Sequence, residues 1–335
     1  MARTDGCRSL HATSERRPRH AVPSQGVVVM RIAVVGAGGV GGYFGAKLAR
    51  AGESVVVLAR GPHLDAIRRD GLRVRSAVDG EFTAKVDAVD SFAGQPPADM
   101  ALFCVKSFDT RTAAEALAPA LGPDTGVVSL QNGVDNEEIL DEVLGRGRAL
   151  GGAAFVFATI ESPGVIAHTV QGRIVFGELD GRVSARATRL REALATAGVP
   201  VEVSTDIRRV LWEKYLLISA QAGTTALTRS PIGVIRETPE TWRMYRRIVE
   251  ELAAVARAAG VRLAEGVVDT IMNGAARLAP TAYSSLHHDL VHGRRLELEA
   301  LHGHAVRLGE RLGVPTPTVF AVYAALKPHA AGGRG

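Results

Sequence analysis

Lys214 lies in the run WEKYLLISAQAG, an apolar helical pattern from which a single amine projects. Its neighbours at i+3, i+4 and i+7 are Leu217, Ile218 and Gln221, so it stands over a largely greasy face. Desolvating an ammonium there is costly and lowers its pKa, the condition under which an amine serves as a general acid near neutral pH. The same lysine would equally well snorkel to the surface beside Glu213. A second group of residues addresses a different chemistry. Gly36, Gly38 and Gly41 form G-x-G-x-x-G between the strand-like RIAVV and a helical stretch, with Ala37, Gly39 and Val40 completing the turn. In that context Gly36 permits the tight turn and Gly38 lets the backbone approach a pyrophosphate. Gly41 lets helix and strand pack closely, with the helix N-terminus facing the anion. About 20 residues further on, a unit for NAD presents Asp or Glu to the ribose. Here the second strand ends in Arg60, whose guanidinium pairs with a 2′-phosphate and points to NADP. As an isolated residue, Arg60 is also readable as an ordinary loop cation.

Ser285, Asp289, Gly293 and Glu297 recur every four residues within the helical stretch 284–312 and predict a drifting stripe on one side of it. Gly293 in that stripe leaves room where another group approaches. Glu297 paired with Arg294 on a solvated face is the plainer reading, and Asn132 reads equally as the left-handed residue of an Asn-Gly turn. His288 and His292 share a helix face but lack a third ligand of clear spacing, so no metal is expected.

These residues need a scaffold, and the chain is long enough to provide one. It has 335 residues, 46% of them hydrophobic, which favours two domains. A net charge of +5 is spread through the chain without aromatic interleaving, so nucleic acid is not an expected partner. Cys7 and Cys104 are the only cysteines, which favours a reducing compartment, the cytoplasm, over a disulfide framework. No apolar run is long enough to span a bilayer. Strand-like runs (RIAVV, SVVVLAR, ADMALFCVK, GVVSLQNG, RALGGAAFVFATI) alternate with helical stretches such as 111–121 and 136–144. This predicts an α/β fold of the doubly wound Rossmann type, with a parallel sheet covered on both faces. VPVEVSTD is the last strand-like run. Helical stretches follow at 210–222, 239–259, 266–279, 284–312 and 317–326. The expected organisation is an N-terminal extension over 1–29, a dinucleotide-binding domain over 30–205, a helical domain over 206–328 and a tail over 329–335.

GAGGVGGYFG, LAR, CVKSFD, SLQNGVDN, WEKYLL and SSLHHDLVHGRRLELEALHG, in that order, resemble the ketopantoate reductase (2-dehydropantoate 2-reductase) family from about residue 31 to 326. The resemblance implies reduction of a 2-oxo acid by NADPH in pantothenate biosynthesis. It also implies a helical domain like the C-terminal domain of 6-phosphogluconate dehydrogenase, and a monomer or homodimer. Lys214 matches the family's proton-donating lysine and Lys106 the lysine near nicotinamide and substrate. Asn132 matches the asparagine that helps place cofactor and lysine, and Glu297 the glutamate engaging substrate and lysine. Ser285 matches the serine holding the substrate carboxylate, and Asp289 a second polar position beside it. One departure stands out. Four and eight residues beyond the lysine the family carries asparagines that bond the substrate hydroxyl, and here Ile218 and Ala222 occupy those places. A more apolar pocket implies a changed 2-oxo acid. A paralogue acting on another 2-oxo or β-hydroxy acid, and a non-catalytic NADP sensor, are the competing readings.

Overall fold

RIAVV forms β1 (Arg31–Val35) in the computed structural model, which describes residues 29–333; expectations for 1–28 and 334–335 lie outside the described residues. After β1 come α1 (Gly39–Arg50), β2 (Ser54–Leu58), α2 (Gly61–Asp70), β3 (Leu72–Ser76), β4 (Gly80–Ala84) and β5 (Asp87–Val89). The α/β part continues with β6 (Ala98–Phe103), α3 (Thr110–Leu117), β7 (Leu121–Ser129), α4 (Asn136–Leu144), β8 (Ala149–Ser162), β9 (Val165–Glu178), α5 (Ala185–Thr196) and β10 (Val201–Val203). The strands make one sheet in the order β4-β3-β9-β8-β7-β6-β1-β2-β5, with β10 added on β9. Val34, Val57, Leu102 and Val128 turn to a core shared with Phe44 and Leu48 of α1 and Leu190 and Leu194 of α5. Ala33, Val56, Ala101 and Val127 turn the other way, against Ala113 and Leu117 of α3 and Leu140 of α4. Burial on both faces is why these strands read as continuous apolar runs.

The sheet is not wholly parallel, as the runs alone predict. β8 and β9 pair antiparallel, Ser162 opposite Val165, because Pro163 and Gly164 join them directly and so short a link forces the chain back on itself. β3 and β4 are likewise antiparallel, in a stretch where no strand is expected.

After β10 only helices follow among the described residues: α6 (Ile207–Thr228), α7 (Ile232–Glu237), α8 (Pro239–Ala258), α9 (Val267–Ala276), α10 (Ser285–Val291), α11 (His304–Leu312) and α12 (Pro317–Leu326). They enclose their own core, with Tyr215, Leu216, Tyr245, Ile248, Leu252 and Leu301 at its centre. The single helix expected over 284–312 is broken. Gly293 takes φ 61°, donating to Leu290 O, while Arg294 N donates to Asp289 O. This pair of bonds around a left-handed glycine ends α10. The chain re-enters helix only at Leu298, through a π-helical turn (Glu299–Gly303). Gly293 therefore serves the backbone and not the close approach of another group, and Glu297 is not on the helix that carries Ser285 and Asp289.

Candidate active site

The carboxyl ends of β1, β6 and β7 deliver three loops to one edge of the sheet, where the helices beginning with α6 face them. In doubly wound sheets this is where ligands bind. In the first loop, Gly36 has φ 96°, a conformation that strains any L side chain. A Cβ on Gly41 would collide with the Gly36 carbonyl and crowd Val34 at 2.9 Å, so Gly41 lets α1 pack on β1 as expected. At Gly38 a Cβ would meet nothing within 4 Å, so no protein contact explains that glycine. Gly38 caps α1 without a side-chain hydrogen bond, and the first turn of α1 carries no acid. Its free N–H groups and positive end fit a pyrophosphate. The glycine whose role the spacing hides is Gly39, where a Cβ would strike the Ala158 carbonyl of β8. Val40 is half-buried and packs against the sheet core, and Ala37 is buried beside it. Arg60 is the exposed N-cap of α2, and its side chain makes no hydrogen bond or ion pair among the described residues.

The second and third loops are stapled together. Buried Gln131 donates from Nε2 to Val105 O at 3.1 Å and to Thr110 Oγ1 at 2.9 Å, tying the Lys106 loop to the Asn132 loop. Asn136 Nδ2 donates to Asn132 O at 3.1 Å. The positive φ of this Asn-Gly turn belongs to Gly133 (119°), not to Asn132.

Lys106 crosses to the helices. Its Nζ donates to Asp289 Oδ2 and to Glu297 Oε2, each at 2.9 Å, and Ser107 N donates to Glu297 Oε1 at 3.0 Å. Asp289 and Glu297 thus converge although a helix break separates them, and Glu297 is committed to Lys106, not to Arg294. Both carboxylates are buried, while the Lys106 side chain stays 43% exposed. Burial pulls the Lys106 ammonium down, but Glu297 and Asp289 outweigh it and hold its pKa above the ordinary lysine value.

Lys214 is the opposite case. It is half-buried on α6, 5.9 Å from the Phe155 ring, and makes no hydrogen bond or ion pair among the described residues. Burial pushes its pKa down to about 8 against the upward pull of Glu297 and Glu137. Glu137, in the first turn of α4, was not marked by any motif. It is 5% exposed, and burial raises its pKa to about 7. Only its proximity to Lys214 in the fold reveals it. Ser285 opens α10 with an exposed side chain. Ile218 is half-buried at the margin of the helical core, and Ala222 is 2% exposed within that core. The His288 and His292 rings lie 4.2 Å apart, and His292 Nδ1 bonds to the His288 carbonyl.

A doubly wound sheet with a glycine-rich first turn, clasped to a facing helical core, is the plan of a two-domain nucleotide-dependent oxidoreductase. Models of two families match, "Ketopantoate reductase PanE/ApbA" over residues 32–181 and its C-terminal counterpart over residues 206–330. The chain is 35% identical to the 2-dehydropantoate 2-reductase of Halobacterium salinarum over 296 residues, covering 87% of this chain and 95% of that one. It is 34% identical to that of Archaeoglobus fulgidus over 288 residues, covering 85% and 93%. The crystal structure of a PanE/ApbA family ketopantoate reductase from Ralstonia eutropha JMP134 superposes with a TM-score of 0.83 at 36% identity, covering 90% of this chain and 98% of that one. The chain belongs to the ketopantoate reductase family, whose members are oxidoreductases that use NADPH. Among the described residues no helix is long and apolar enough to cross a membrane.

Proposed function

We propose that this chain reduces the keto group of a 2-oxo acid, 2-dehydropantoate or a close analogue, with NADPH. The observation that carries the reading is the clasp of Lys106, at the end of the sheet, with Asp289 and Glu297 of the helices, next to which Lys214 of α6 feels the Glu297 charge. Bound NADPH supplies the hydride. As it reaches the keto carbon, negative charge grows on the oxygen, and the Lys214 ammonium stabilises that charge and delivers its proton. A pKa of about 8 keeps Lys214 mainly protonated at neutral pH while making the proton easy to give up. Lys106 uses two of its three N–H donors on Asp289 and Glu297, leaving one for the substrate carboxylate, with the Ser285 hydroxyl as a second donor. Asn132 contributes an amide where cofactor and Lys214 meet. Arg60 takes the 2′-phosphate. The enzyme works in the cytoplasm, a setting in keeping with its few cysteines.

The direct test is NADPH oxidation with 2-dehydropantoate and a panel of 2-oxo acids of increasing apolar bulk, chosen because Ile218 replaces a hydrogen-bonding side chain. Turnover is expected on at least one of them. Absence of turnover on all, from folded protein that binds NADPH, sinks the reading. In the same assay, Arg60→Ala should raise KM for NADPH by roughly 10- to 100-fold, the loss of charge-assisted bonds, and leave KM for NADH unchanged. Glu137→Gln offers a subtler check. The ionised Glu137 carboxylate supports the Lys214 ammonium, so its loss lowers the Lys214 pKa further. The alkaline limb of kcat/KM should move to lower pH, and a limb that stays in place refutes the coupling.

A further inference from the structure

We infer that His63 is a positioning residue for the cofactor turn, fixing the direction of the Gly38 N–H by holding the peptide plane that precedes it. The inference rests on the reading that the turn binds NADPH. His63 lies in the first turn of α2, the helix that Arg60 caps. Its Nε2 is 2.8 Å from the Ala37 carbonyl oxygen, and its Nδ1 accepts from Gly164 N at 2.9 Å. Both partners are main-chain groups of fixed polarity. A carbonyl only accepts and an amide N–H only donates, so Nε2 carries the proton and Nδ1 the lone pair. No other protonation state satisfies both bonds.

The Ala37 carbonyl and the Gly38 N–H belong to one planar trans peptide and point in opposite directions. A ring that draws the carbonyl toward α2 therefore aims the Gly38 N–H away from α2. That amide belongs to the residue where a side chain would find open space. The far anchor is equally firm. Gly164 forms the tip of the β8–β9 hairpin; a Cβ added there would press on Ala66 of α2 at 2.9 Å, and Gly164 O accepts from Arg73 N. The same hairpin places Ala158 against Gly39 and Ile166 against Gly42. His63 thus joins the turn, the helix bearing Arg60 and the hairpin into one support. Such a support lowers the ordering needed when a dinucleotide binds.

Substitution with separate readouts of binding and turnover tests this. His63→Phe keeps the ring volume but loses both bonds. It should raise Kd and KM for NADPH about tenfold, on the scale of one lost oriented hydrogen bond, with kcat within about threefold of wild type. His63→Gln, whose amide offers a donor and an acceptor, should recover most of that loss. A folded His63→Phe protein with wild-type affinity for NADPH overturns the proposal, as does a change confined to kcat. Imidazole 15N NMR of the wild-type protein needs no variant to fold. The neutral His63 imidazole should appear as the Nε2–H tautomer alone, and a mixture of tautomers overturns the assignment. If wild-type protein itself does not bind NADPH, the functional reading fails; if it binds and the variants bind as well, only the role of His63 fails.

Discussion

Replacing Lys214 by methionine is expected to lower kcat by about 10²- to 10⁴-fold while leaving NADPH affinity unchanged. Methionine keeps the unbranched bulk that the half-buried site on α6 accommodates. Lys214 has no hydrogen-bond partner among the described residues, so its removal leaves no hydrogen bond broken. Thermal stability should hold or rise, since a desolvated ammonium is exchanged for a thioether. The wild-type pH profile supplies the control. In the proposed reaction the proton donor is the charged form, so kcat/KM should fall as pH rises through about 8, the value to which burial brings Lys214. Lys214→Arg keeps the charge but holds its proton at every accessible pH. It should be a poor enzyme whose activity lacks that alkaline limb. A methionine variant within tenfold of wild type, with the limb intact, would show that another group donates the proton.

The second large effect separates two adjacent glycines. Gly38→Ala should leave the melting temperature within about 2 °C of wild type, because a Cβ there meets no protein atom. It should nonetheless weaken NADPH binding tenfold or more, roughly the loss expected when a methyl group stands where main chain and pyrophosphate meet. Gly39→Ala should do the reverse at the outset. Its Cβ would collide with the Ala158 carbonyl and lie 2.8 Å from Thr159 N, both main-chain atoms that yield only if β8 shifts. A cost of about 1–3 kcal/mol is typical of such overpacking, visible as a lowered melting temperature before any ligand is added. Differential scanning fluorimetry with and without NADPH distinguishes the two patterns. Equal melting losses for both variants would remove the argument that Gly38 is kept open for a ligand.

Local signals reached the features whose causes are local. The run through β1, α1 and β2, the span of α4, and the packing role of Gly41 follow from neighbouring residues alone. The i, i+4 count from Ser285 to Glu297 failed because one left-handed glycine ended the helix, and a regular spacing gives no warning of that. Asp289 and Glu297 still meet, but through Lys106, which lies 183 and 191 residues away from them in the chain. Glu137 and His63 carry no local mark, and Gln131 lies within SLQNGVDN with no role of its own in that pattern. Their importance comes from a buried carboxyl near a distant lysine, an amide bridging two loops, and a ring between two main-chain groups. Of the β8–β9 hairpin, RALGGAAFVFATI marks the first strand, but its antiparallel return along β9 depends on Pro163 and Gly164 acting as a turn.

The clasp between Lys106 and its two carboxylates also bears on which form of the enzyme meets its substrate. With Lys214 protonated, its ammonium and that of Lys106 come close to balancing Asp289, Glu297 and the partly ionised Glu137. With Lys214 deprotonated, the carboxylates outnumber the cations, and an incoming 2-oxo acid, itself an anion, is repelled. On the proposed mechanism, substrate capture then favours the molecules already carrying the proton that the reaction consumes. Affinity and readiness to react become a single equilibrium, so raising substrate concentration should by itself draw Lys214 toward its charged state and carry activity to higher pH.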